Sequence, residues 1–297
     1  MMRLYNTASP RKTRAGVIRP SSGAFLFLLP GLTGFILFFI LPFAISLGYA
    51  FMDKPVGGNF VGLNNFTDLL RNKAYIKGFL NTLRFIGVSV PLNMILSLSI
   101  AMLIHKLKRR RELFSLIFLI PLVIPSGSMV FFWKSFFSYD GALNGFLYIL
   151  GISRLNWLDS QLTFFVMILI FIWKNLGYNM VLYLSGLSNI PKDYYEAAAV
   201  DGTTAWQAFR NITLPYLLPT SVLVIIMSII NSFKVFKEIY LITGGYPHES
   251  IYTMQHFMNN MFSSLNYPRL TTATTVLIVI IAVLTQLLLR LERKVEL

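Results

Sequence analysis

Six long apolar runs decide most of what this chain can become. They cover Phe25–Ala50, Phe79–His105, Leu113–Trp133, Gln161–Gly186, Tyr216–Thr243 and Leu270–Arg290. A helix needs about 20 residues to cross a hydrocarbon core, and every run supplies that length. Backbone inside lipid must satisfy its own N–H and C=O groups, so runs of this kind resolve as transmembrane helices. The expected class is therefore an all-α polytopic membrane protein with six spans. Composition agrees: 55% of residues are hydrophobic and 13% charged, whereas soluble domains carry about 25% charge. The first run follows Arg11, Lys12, Arg14 and Arg19 as a signal peptide would. It far exceeds the apolar core of a signal, about 7 to 15 residues, and is expected to stay as an anchor.

The formal net charge of +14 would suggest a nucleic-acid partner in a soluble protein. Here the basic residues crowd the N-terminal tail, the "HKLKRRRE" loop at His105–Glu112 and the "RLERK" tail at Arg290–Lys294. That is the distribution that fixes membrane topology, so no nucleic acid is expected and both termini read as cytoplasmic. Residues 1–22 form a basic, aperiodic tail expected to be mobile, ahead of a membrane domain over 23–297. The connection between the fourth and fifth runs falls on the cytoplasmic side with the termini.

Soluble chemistry is missing. There is no G-x-x-x-x-G-K-[ST] loop, no H-E-x-x-H, and only three scattered histidines, so neither enzymatic activity nor a metal or nucleotide cofactor is expected in this chain. With no cysteine there is no disulfide framework. His248 and His256, in the last outer loop, read as solvated side chains.

One polar stretch interrupts the apolar pattern: "EAAAVDGTTAWQAFRNITLP", Glu196–Pro215. Pro191, Asp193 and Glu196 suit the first turns of a helix. Gly202 should break it. Thr203 or Thr204 can cap a second short helix carrying Trp206, Phe209 and Ile212, which Pro215 should end. An exposed helix with a flat alanine face, a carboxylate and apolar knobs fits a groove in another protein, and equally fits an interfacial linker.

Glu196, Ala197 and Ala198, three residues, Gly202, nine residues, then Ile212, Thr213, Leu214 and Pro215 reproduce the E-A-A-x3-G-x9-I-x-L-P signature. In this the chain resembles permease subunits of bacterial ABC importers. "LPGLTGFILFFILPFAISLGYAF", "FVGLNNF", "SNIPKDYYEAA" and "FKVFKEIYLITGGYP" resemble the carbohydrate-uptake branch, and within it the first of two nonidentical permeases. One departure is Tyr246, which stands where a third glycine is common. The resemblance implies the type I importer permease fold and a coupling segment over 188–215 that docks on the ATPase. Its contacts would fall on Glu196, Ala197, Ala198, Asp201, Gly202, Trp206, Phe209, Ile212, Leu214 and Pro215, with Glu196 meeting a basic residue. It further implies a second permease, two copies of a cytoplasmic ATPase that hold ATP and Mg²⁺, a solute-binding protein, a carbohydrate substrate and a location in the bacterial cytoplasmic membrane among its lipids.

Polar groups at membrane depth mark candidate pathway residues. In the fourth run these are Trp173, Lys174, Asn175, Tyr178 and Asn179, and in the fifth Asn231, Lys234, Glu238 and Tyr240. Amides, hydroxyls and rings suit a sugar, but the same groups serve as contacts between helices. Lys174 either pairs with another helix or serves an anionic substrate such as a uronate or a glycerol phosphate. Pro121, Pro125 and Ser126-Gly127-Ser128 interrupt the third run, which is expected to bend there. A secondary transporter or channel is the competing class, but neither needs the twenty-residue signature.

Overall fold

The computed structural model describes residues 22–107 and 109–295; residues 1–21 of the tail expected to be mobile lie outside the described residues. Within that range every regular element is helical apart from an isolated antiparallel bridge between Met52 and Phe60. The chain divides after Gly48 into two compact units. In the first, helices Ser22–Phe35 and Leu41–Tyr49 are joined by a π turn at Ile36–Ile40. Pro42 cannot donate to the Phe38 carbonyl, which loosens the helical register at that place. Phe27 and Phe38 are largely exposed on it, as a helix that is apolar all round requires in lipid.

The second unit holds the remaining spans. Span 2 runs Lys73–His105 and begins six residues before the apolar run, because Asn72 caps it: its Oδ1 accepts from the N–H groups of Ala74 at 3.0 Å and Tyr75 at 3.1 Å. Span 4 is Thr163–Ser188, span 5 Leu218–Thr243 and span 6 Tyr267–Arg290. Short helices Asn64–Arg71, Ala142–Ile149 and Met254–Ser263 lie in the connections.

The third run is not one straight helix. Arg111–Val123 meets the segment Ser126–Ile149 at 90°; that segment is helical at Ser126–Phe137, the second arm of span 3, and again at the connecting helix Ala142–Ile149. Pro121 is accommodated inside the first arm. The break falls before Pro125, where Ile124 takes φ −66° and ψ 127°, the extended form that a residue ahead of proline prefers.

Span 4 is the hub, with half of its most apolar stretch buried against 28% for spans 2 and 5 and 17% for span 6. Small residues let its neighbours approach. A Cβ at Gly177 would lie 1.8 Å from the Phe118 carbonyl oxygen of the first arm of span 3, and one at Gly186 would lie 2.6 Å from Thr220 Oγ1 of span 5. Apolar packing in lipid gains little from the hydrophobic effect, so such close backbone contact carries the association.

His256 departs from the sequence reading. It is fully buried, its Nδ1 2.8 Å from Thr253 Oγ1 and 3.2 Å from the Thr253 N–H in a capping box at the start of Met254–Ser263. Phe236 packs edge-on against its ring. Sequence position places it in a loop, but that loop folds back onto span 2, where Asn81 donates to the carbonyls of Glu249 and Tyr252.

Candidate functional site

The connection between spans 4 and 5 folds as two helices, as its caps imply. The first is Lys192–Val200, with Pro191 as its N-cap and no buried residue. It closes in a Schellman turn: Thr203 N–H bonds Ala198 C=O at 3.0 Å and Gly202 N–H bonds Ala199 C=O at 3.2 Å. Gly202 supplies the required φ of +71°, and a Cβ there would touch nothing. Thr204, not Thr203, caps the second helix, with Gln207 completing the capping box.

That second helix does not end at Pro215. A π turn at Phe209–Thr213 carries it into Leu214–Tyr216 and on to span 5. The Leu214 N–H reaches back to Phe209, five residues away; this wider register accommodates the proline that would break an α-helix. Tyr195 and Thr213 join their hydroxyls at 2.8 Å, tying the first helix to the base of span 5.

The two faces of this loop differ. Glu196, Ala197, Asp201, Gly202, Leu214 and Pro215 are exposed, and so are the large apolar side chains of Val200 at 88% and Trp206 at 67%. Ala198 and Phe209 are half-buried, and Ile212 packs on the cluster of Tyr183, Leu187 and Leu217. Between the inner face and the end of span 2 lies an apolar groove of about 590 Å³, lined by Met102, His105, Ala208 and Phe209 among others.

At membrane depth the structure brings Lys174 and Glu238 together. Lys174 Nζ of span 4 forms an ion pair with Glu238 Oε1 of span 5, whose side chain is 1% exposed while that of Lys174 is 21% exposed. Ser126, the first residue after the break in span 3, donates to the same carboxylate oxygen at 2.8 Å and lies 3.4 Å from Lys174 Nζ. Glu238 Oε2 is buried without a hydrogen-bond partner. Trp173 and Trp133 meet edge-to-face at 5.4 Å beside this junction. Ser126 is a residue that sequence reasoning does not single out for the pathway. A signal for it exists: Glu238 is the only carboxylate within the six apolar runs, so a hydroxyl just after a proline break is a natural partner.

Most other pathway candidates have partners outside this junction. Asn175 is buried and donates to the Phe171 carbonyl at 2.9 Å, while Asn179 donates to Ser228 Oγ of span 5 at 2.8 Å. Tyr178 is half-buried. Lys234 is exposed and bonds Asn231 at 3.1 Å on its own helix, and Tyr240 packs on Phe236. Arg111, a topology signal by its position, also donates to the Leu184 carbonyl and to Ser188 Oγ at the end of span 4. At the Tyr246 departure the turn keeps Gly244 at φ +82°, and Tyr246 itself has no positive φ.

Helices bundled around span 4, with an exposed two-helix loop running into span 5, define an ABC importer permease of the type I fold. A chain of a bacterial ABC transporter involved in the import of the acidic polysaccharide alginate superposes with a TM-score of 0.79 at 24% identity, covering 91% of this chain and 94% of that one. Residues 93–297 match the family described as binding-protein-dependent transport system inner membrane component, and the chain belongs to that family. Over 238 residues it is 36% identical to the trehalose/maltose transport system permease protein MalF of Thermococcus litoralis, covering 77% of this chain and 79% of that one. It is also 29% identical to the sn-glycerol-3-phosphate transport system permease protein UgpA of Pectobacterium atrosepticum, over 94% of this chain and 97% of that one.

Proposed function

We propose that this chain is the permease subunit of an ATP-driven importer that takes up a sugar or oligosaccharide handed over by an extracellular solute-binding protein. It works beside a second, nonidentical permease in the cytoplasmic membrane, with both termini inside. Two copies of a cytoplasmic ABC ATPase bind ATP and Mg²⁺ and carry the hydrolysis; this chain is non-catalytic and holds no cofactor of its own. The observation that carries the reading is the 192–216 loop. It sets an exposed Glu196 and exposed Val200 and Trp206 on a turn locked by Gly202, which is what a rigid plug for a partner's cleft requires.

The chain transmits motion through its own bonds. The Schellman turn fixes the first helix to the second, Tyr195 and Thr213 brace the pair, and the π turn carries the second helix into span 5. A push on Glu196 or Trp206 therefore reaches the middle of the bundle as a rigid displacement.

A neutral sugar is favoured over an anionic one by the pairing of Lys174. The cation that would have served a uronate or a glycerol phosphate is matched by Glu238, so the pair presents no net charge. Purification in detergent tests the assembly: the chain should bring with it one other permease and two ATPase copies. Reconstitution with the cognate binding protein should then give ATP hydrolysis stimulated by neutral sugars. Recovery as a homo-oligomer alone, or stimulation by sugar phosphates only, would overturn the assembly and the substrate class respectively.

A further inference from the structure

We infer that Glu238 is a positioning residue for transport, fixing the break of span 3 as a hinge whose halves are held by spans 4 and 5. The inference rests on the import reading above.

Ser126 opens the second arm of span 3 directly after Pro125, so its hydroxyl sits at a helix start where the first N–H groups have no intrahelical acceptor and the dipole is positive. Glu238 Oε1 lies against that start, accepting from Ser126 and from Lys174. One oxygen thus joins the broken span to its two neighbours. The carboxylate is 1% exposed, and an isolated ion there is strongly unfavourable. Separating the arm from spans 4 and 5 therefore requires water or a new donor to reach Glu238 Oε1, the atom that would lose both partners. Transport on this inference alternates the closed junction with an opened, hydrated one. Proline supplies the bend and Glu238 holds it.

The chain contains no cysteine, which allows a direct test. Gly127 is exposed in the isolated chain, has no positive φ, and a Cβ there meets no atom within 4 Å, so Gly127→Cys is sterically tolerated at the start of the second arm. The complete transporter carrying it is placed in liposomes and labelled with a membrane-impermeant maleimide, nucleotide-free and trapped with ATP and vanadate. The expected result is a labelling rate that differs by about threefold or more between the two states. When Glu238→Gln is added, that difference disappears while the subunits still copurify and hydrolyse ATP, and Glu238→Asp retains part of it. If Glu238→Gln fails to assemble, Lys174→Gln/Glu238→Gln, which buries no lone charge, takes its place under the same criterion. A nucleotide-dependent difference that persists in the Gln variant, or that is absent from the transporter carrying Gly127→Cys alone, overturns the assignment. Failure of the import reading is distinct: the parent complex would then show no ATP-driven uptake.

Discussion

The 192–216 loop and the Lys174–Glu238 junction are the two places where this apolar bundle concentrates polar chemistry, and they treat it in opposite ways. The loop satisfies its backbone internally through the Schellman turn and the capping box, and leaves Glu196, Trp206 and Val200 exposed. The junction does the reverse, closing a cation, a carboxylate and a hydroxyl on one another at a depth where Glu238 is 1% exposed. The exposed loop keeps its side chains free and its backbone rigid. An interior that must survive in lipid pairs its polar groups with one another, which stabilises one arrangement and makes any other unfavourable.

Four tests bear on the contrast, and the first should give the greatest change. Glu196→Lys should leave the permease in the membrane and abolish uptake. If docking buries the Glu196 carboxylate in a charge pair, losing one partner of it costs about 2 to 5 kcal/mol, roughly 30-fold or more in docking affinity. Wild-type uptake and normal recovery of the ATPase from Glu196→Lys membranes would remove the loop's assigned role.

Lys174→Met tests the other side. It leaves the buried Glu238 carboxylate without its cation and with only the Ser126 hydroxyl, which should destabilise the chain by about 3 to 5 kcal/mol, whereas Lys174→Met/Glu238→Leu should recover most of that loss. Thermal melts of the detergent-solubilised protein read both variants. A single variant as stable as the parent would mean that the pair is solvated and the contrast false.

His256 gives the same logic a pH dependence. Burial pushes its imidazole down to about 4 from the usual value near 6.5. The unfolded chain therefore binds a proton that the folded chain refuses between those values. Stability should be full above about pH 6.5 and fall by about 3 kcal/mol as the pH drops toward 4. Gln at this position keeps the capping geometry without the titration, so melts of His256→Gln should lose this part of the acid dependence. An unchanged profile in that variant would locate the acid sensitivity elsewhere.

Gly202 should give the mildest change. Its need is conformational, since φ is +71° and a Cβ meets open space. Gly202→Ala should cost about 1 to 2 kcal/mol, with Gly202→Asn milder because its side chain tolerates this region. Equal coupling in the Ala and Asn variants would show that the turn is not the constraint.

Much of the loop is legible in the sequence because its determinants are local. Caps, a helix-breaking glycine and a spacing over twenty residues act through neighbours along the chain, and the two helices form where those signals sit. The continuation past Pro215 is not legible, because a π turn is a tertiary accommodation: Ile212 is drawn into the Tyr183 and Leu217 cluster. The junction is half legible. That Lys174 pairs with another helix is one of two readings its position allows, but the identity of Ser126 depends on where a 90° break places a helix start. His256 looks solvated by its place between two spans, whereas the segment holding it is pinned to span 2 through Asn81.

The class of solvent, the number of apolar runs, the motif and the turn at Gly202 are all written along the chain, since hydrophobic length and backbone preference are properties of contiguous residues. Which polar groups at membrane depth face one another is settled by packing alone. Spans 3, 4 and 5 contribute Ser126, Lys174 and Glu238 from positions up to 112 residues apart, and helical periodicity says which face a residue is on, not what it meets. The close approach at Gly177, which seats the first arm of span 3 on the hub, is set by the same packing.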